Sequence, residues 1–140
     1  MLNKQIFVDT NLLVYAHDRD AADKYEKAKD LVAKLWTLPL TPAISVQVLQ
    51  ELYVNLIRKD VSDDEARQTI DDYCAWHVVD NDSVLLMEAI DIRERLQSSF
   101  WDALIVAAAK RAHASAIWSE DFNTGQRYDG IVVVNPLITE

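Results

Sequence analysis

The chain has 140 residues, enough for one domain with a sizeable core that buries about 68% of the surface its unfolded form exposes. Its formal net charge of −9, from 14 basic and 23 acidic side chains, excludes a protein that grips nucleic acid mainly by broad phosphate neutralisation, but not a nuclease, because clustered carboxylates bind cations that in turn hold a phosphate. Gly125 and Gly130 are the only glycines, so neither a phosphate-cradling loop nor a dinucleotide fingerprint can be written, and nucleotide-cofactor chemistry is not expected.

The first element is Gln5-Ile6-Phe7-Val8, a β-like run that stops on Asp9-Thr10-Asn11. In an α/β protein the carboxyl end of a parallel strand borders the crevice where ligands bind, which makes Asp9 the first candidate catalytic residue. Residues 12–16 read as a short helix and residues 21–36 as a longer one. Pro39 and Pro42 bracket residues 40–44, expected as a second strand. Ser45 is the expected N-cap of a helix whose apolar positions Leu49, Leu52, Tyr53, Leu56 and Ile57 share one buried face. Ser62-Asp63-Asp64-Glu65 matches a capping box and starts a helix to about residue 75. Within it Cys74, the single cysteine, permits no internal disulfide and is expected as a small buried hydrophobe in a reducing cytosol.

A third strand is predicted at His77-Val78-Val79, then a helix over residues 83–96 with Val84, Leu85, Ala89 and Ile92 on its apolar face. Ser99 caps an alanine-rich helix over residues 100–113, whose small side chains suit close approach to a sheet. Its apolar block, residues 103–109, is far below the ~20 residues that span a bilayer, and no signal-peptide pattern opens the chain, so a soluble cytoplasmic protein is expected. A fourth strand at residues 115–118, a polar loop at 119–129 and a last strand at Ile131–Val134 complete the pattern. Short strands alternating with helices indicate a parallel sheet covered on both sides.

Four acids recur at strand ends or on helices facing the same crevice: Asp9, Glu51, Asp102 and Asp121. Each has an ordinary reading. Asp9 can cap the following helix, Glu51 can be a solvated boundary residue, Asp102 can be the acidic member of a capping box with Ser99, and Asp121 can be a loop acid. Position carries the joint reading, because right-handed crossovers bring the ends of strands one and four together at a switch point. Two carboxylates ~5 Å apart repel by roughly 3 kcal/mol at an effective dielectric of 20, so four in one crevice require a cation or bound protons. Oxygen-only ligands on a partly open site point to Mg²⁺, with Mn²⁺ as a substitute, and to the chemistry of two-metal nucleases.

Phe7-Val8-Asp9-Thr10-Asn11, Ser45 with Glu51, Trp101-Asp102-Ala103-Leu104-Ile105-Val106-Ala107-Ala108-Ala109, Ser119-Glu120-Asp121-Phe122 with Gly125, and Val134-Asn135-Pro136 follow one another along the domain. As an ordered set they resemble PIN-domain ribonucleases, specifically the VapC-type toxins of toxin-antitoxin pairs. The resemblance implies a PIN-like three-layer α/β/α fold, a central parallel sheet of strand order 3-2-1-4-5, and divalent-metal coordination by Asp9, Glu51, Asp102 and Asp121. It further implies that Asn11 and Ser119 orient ligands or waters, that the chain dimerises, and that a small cognate antitoxin silences it. Asn123 departs from the pattern at a place that bears on a second metal, and Trp118 is bulkier than the aliphatic residue expected before the fourth acid.

The function so read is a metal-dependent endoribonuclease in which metal-activated water attacks phosphorus, with a non-toxin PIN nuclease of RNA processing as the alternative. A receiver-like signalling domain needs a Lys where Asn135-Pro136 stands, and an aspartyl-phosphate phosphatase needs an acid where Asn11 stands. A catalytically idle PIN-like module fits poorly with four acids present. His17, His77 and His113 are too scattered for a zinc site. Arg58, Lys59, Lys110, Arg111 and Arg127 are candidates for RNA phosphate contacts or for a solvated helix face, and Trp36, Trp76 and Trp101 for core or dimer contacts.

Overall fold

A computed structural model of the chain describes residues 4–138. Six strands form one sheet: β1 (Gln5–Val8), β2 (Ala43–Ser45), β3 (His77–Val79), β4 (Ala114–Trp118), β5 (Arg127–Tyr128) and β6 (Ile131–Val134), in the order β3-β2-β1-β4-β6-β5. The five longer strands are mutually parallel in the expected order. The departure is at the edge, where the expected polar loop contains β5, which pairs antiparallel with β6 through Arg127↔Val132 and Tyr128↔Ile131. Gly130, at φ +87, makes the reversal between them, a conformation open to glycine because it has no Cβ.

Among the described residues six α-helices cover the sheet: α1 (Thr10–Ala16), α2 (Asp23–Leu35), α3 (Val46–Arg58), α4 (Asp63–Tyr73), α5 (Ser83–Leu96) and α6 (Phe100–Arg111). With right-handed crossovers, the steps β1 to β2 and β2 to β3 place α1 to α4 on one face, and the return from β3 to β4 places α5 and α6 on the other. The packing agrees, since α1 meets α2 and α3, α3 meets α4, and α6 lies between α5 and strands β2 and β4. Residues 103–109 of α6 are buried on every side; five of the seven are Ala or Val, so the helix fits between two layers without forcing them apart. No helix among the described residues is long and apolar enough to cross a membrane.

Several boundaries move for identifiable reasons. Strand β2 starts at Ala43, after Pro42, which lacks the N–H that a ladder needs; the Pro42 carbonyl still accepts from His77 N at 3.1 Å. Helix α2 is separated from a 3-10 turn, Arg19–Ala21, by Ala22 at φ 56. Helix α6 ends at Arg111, before His113 at φ 59.

Three burial expectations are overturned. Tyr53 and Ile57 of α3 are exposed, and the buried stripe is Val48, Leu49, Leu52 and Leu56; one helix face covers about 100° of arc, too narrow for all the apolar residues offered. Val84 is 63% exposed at the first turn of α5. Cys74, at the C-cap of α4, is exposed and free rather than buried. Of the tryptophans, Trp76 is core, tilted against Trp36 and edge-on to Tyr73, whereas Trp36 and Trp101 are exposed.

Candidate active site

The carboxyl ends of β1 and β4 lie side by side, because Val8 pairs with Trp118. Chain extension past those ends places Asp9 and the Ser119-Glu120-Asp121 loop together: Asp9 N donates to the Trp118 carbonyl at 2.9 Å, and Ser119 N to the Val134 carbonyl at 2.9 Å. Asp9 is both the N-cap of α1 and a member of the site. Its Oδ1 accepts from Thr10 N at 2.7 Å and its Oδ2 from the Ser119 hydroxyl at 2.8 Å. The Ser119 oxygen in turn accepts from Asp121 N at 3.0 Å, so one hydroxyl ties the first acid to the loop bearing the fourth.

Asp9 is only 6% exposed. Burial pushes its carboxyl up to about 6, against the opposing pull of the Thr10 and Ser119 hydrogen bonds, and the negative fields of Asp121 and Glu51 push it further. Asp102, in the first turn of α6, is also raised, mainly by burial, partly offset by Ser99, with the field of Asp121 adding to the rise. Asp102 N donates to the Ser99 hydroxyl at 3.1 Å, so the helix cap expected there is present as well.

Glu51 projects from α3 towards α1, where Thr10 Oγ1 donates to its Oε1 at 2.6 Å and Gln47 Nε2 approaches its Oε2 at 3.4 Å. A cleft of about 460 Å³ between α1 and α3 is lined by Thr10, Asn11, Glu51, Asn55 and Asp121. Asn11 Oδ1 accepts from Glu120 N at 3.4 Å, while its Nδ2 is buried with no hydrogen-bond partner.

The four sequence-derived acids thus form a chain of neighbours, Glu51 and Asp121 each acting on Asp9, and Asp121 on Asp102. Among the described residues no group of three or more His, Cys, Asp or Glu side chains is placed to hold a metal ion by itself; Glu51 and Asp121 line the open cleft, and Asp9 is buried. An oxygen-only donor set under mutual repulsion is chemically suited to a hard divalent cation.

Sequence reasoning missed the residues that hold this set in place. Thr10 was visible only as a member of the Asp-Thr-Asn tripeptide, and Gln47 only as the residue one helical turn before Glu51. Glu120, beside Asp121, is kept out of the acidic set by Lys24 Nζ at 2.6 Å and the Tyr15 hydroxyl at 2.6 Å. Two of the candidate phosphate-binding cations are engaged elsewhere. Lys110 pairs with Asp129 at 2.9 Å and Arg111 with Asp82 at 2.9 Å, at the end of α6 remote from Asp102. Lys59 pairs with Asp18 at 2.9 Å within the α1–α3 cleft itself, and Arg58 lines a surface recess beside Glu51.

The family model described as PIN domain matches residues 6–129. No curated protein matches the chain in sequence. Solved structures share the fold at low identity. VapC20 of Mycobacterium tuberculosis, described as a sarcin-ricin loop cleaving toxin, superposes with a TM-score of 0.66 at 22% identity, over 84% of this chain and 92% of that one. A toxin-antitoxin complex from Klebsiella pneumoniae gives 0.68 at 20% identity, over 95% and 98%. A DNA-bound VapBC from Salmonella typhimurium gives 0.64 at 16% identity, over 93% and 96%.

Proposed function

The chain belongs to the PIN-domain family, and on that premise we propose that it is a divalent-metal-dependent endoribonuclease, the toxin of a toxin-antitoxin pair. The observation that carries the reading is Asp9: a buried carboxylate, raised to about 6, beside Glu51 and Asp121 at the carboxyl end of a parallel sheet. A fold has little reason to gather unpaired acids there unless a cation neutralises them.

Asp9, Glu51, Asp102 and Asp121 would hold Mg²⁺, with Mn²⁺ as a substitute. When bound, such an ion supplies a Lewis acid at the phosphoryl oxygen and makes water a better nucleophile at neutral pH. The protein groups do the rest. Ser119 and the Thr10 amide keep Asp9 oriented and favour its ionised form. The unpartnered Asn11 amide stands next to the Asp121 loop as a donor for a ligand or water. The open cleft between α1 and α3 leaves Glu51 and Asp121 accessible to a substrate.

The toxin assignment is supported by the described roles of the structural neighbours, which are a toxin and toxin-antitoxin complexes. The corresponding partners are RNA as substrate, a small cognate antitoxin as inhibitor and a second copy of the chain, in the cytoplasm. The test is cleavage of total cellular RNA with Mg²⁺ or Mn²⁺, in EDTA, and with Asp9→Asn in place of the parent. Cleavage confined to the metal-loaded parent is expected. Undiminished cleavage in EDTA or by the variant would remove the metal mechanism.

A further inference from the structure

We infer that Gln47 and Thr10 are positioning residues that hold the Glu51 carboxylate at the edge of the acidic cleft, an inference that rests on the nuclease reading above. Thr10 serves two acids at once: its backbone N–H donates to Asp9 Oδ1 at 2.7 Å and its hydroxyl to Glu51 Oε1 at 2.6 Å. One buried residue in the first turn of α1 therefore fixes a carboxylate from β1 relative to a carboxylate from α3.

Gln47 makes the second hold, its Nε2 at 3.4 Å from Glu51 Oε2, one helical turn back along α3. Stability does not account for a glutamine there. The side chain is 6% exposed, and its Oε1 is buried with no partner. A buried acceptor left unsatisfied is unfavourable, and a methionine of similar length would fill the space without it. Among the described residues, the amide donates to Glu51. A glutamate has three side-chain torsions, and in a cleft with like charges it would otherwise swing outward to water. Glu51 is exposed at the cleft, and two donors on its two oxygens fix its orientation there, leaving its remaining lone pairs for a ligand.

Outer groups of this kind generally alter metal affinity by about 10-fold to 100-fold when removed. Mn²⁺ is titrated calorimetrically into the metal-free parent, Glu51→Gln, Gln47→Met, Thr10→Val and Thr10→Ser, and the metal-free melting temperature and RNA cleavage of each are measured. Gln47→Met is expected to bind Mn²⁺ about 10-fold more weakly with a metal-free melting temperature equal to or above that of the parent. Thr10→Val should weaken binding similarly and Thr10→Ser should restore it. Unchanged Mn²⁺ affinity in Gln47→Met and Thr10→Val, or a loss that merely follows a fall in melting temperature, overturns the positioning roles. A parent that neither binds Mn²⁺ nor cleaves RNA overturns the nuclease reading and this inference with it, whereas a parent that does both alongside unaltered variants overturns the positioning alone.

Discussion

At the scale of the residue, a raised carboxyl pKa has a definite consequence for stability. Asp9 lies at about 6 in the folded protein against 3.8 for the ordinary group, so the folded state holds its proton more tightly than the unfolded chain does. Its contribution to stability is full below pH ~4 and is lost as pH rises through about 6, the loss amounting to about 3 kcal/mol at neutrality. Metal-free Asp9→Asn should therefore lose less stability than the parent between pH 4 and 7, as urea unfolding at several pH values would show. Equal pH slopes for the two proteins would mean that burial does not disfavour the Asp9 anion. Asp102 separates site from cap in a different way. If it only favoured the α6 N-terminus, Asp102→Asn would lose up to ~1 kcal/mol with or without metal. The field of Asp121 on Asp102 predicts instead that the variant is as stable as the parent in EDTA, and that millimolar Mg²⁺ raises the melting temperature of the parent much more than that of the variant.

At the scale of the element, the site depends on where helices start. Ser45 and Ser99 cap α3 and α6, accepting from Val48 N at 3.3 Å and Asp102 N at 3.1 Å, and each start places an acid. Ser99→Ala should lose ~1 kcal/mol of stability, a fall of a few degrees in melting temperature. Helix α6 is the central packing element. Ala108 is fully buried, so Ala108→Leu should destabilise by about 1–3 kcal/mol through overpacking between the sheet and α5, measurable by chemical denaturation. A neutral effect there would show that α6 sits less closely than its alanines suggest.

At the scale of the whole molecule, the anionic cleft, lined by Glu51 and Asp121 with Asp9 and Asp102 in the field of Asp121, complements a cation on an inhibitor as well as a metal. The antitoxin proposed above would then present an Arg or Lys to the acids. Expression with the neighbouring genes of the native host should recover a small protein that co-purifies at fixed stoichiometry and suppresses cleavage. Free expression without toxicity and purification of the chain with itself only would favour a nuclease of RNA processing. Light scattering of the isolated chain tests the proposed homodimer, for which twice the chain mass is expected.

The sequence alone determined much of this protein, because period and punctuation are local. The β-run ending on Asp9, the serine caps at Ser45, Ser62 and Ser99, and the alternation of strands with helices are all written within a few residues, and they led to a parallel sheet of the right order and to acids at its carboxyl edge. Tertiary structure decided whatever depends on what lies opposite. Strand β5 exists because β6 offers an edge to Arg127 and Tyr128. Cys74 is exposed because α4 turns that position outward, and the buried stripe of α3 passes through Val48 rather than Tyr53 because of where the sheet lies. The hold of Thr10 on Glu51 joins residues 41 positions apart in the chain, and no local pattern encodes a hydrogen bond across that separation.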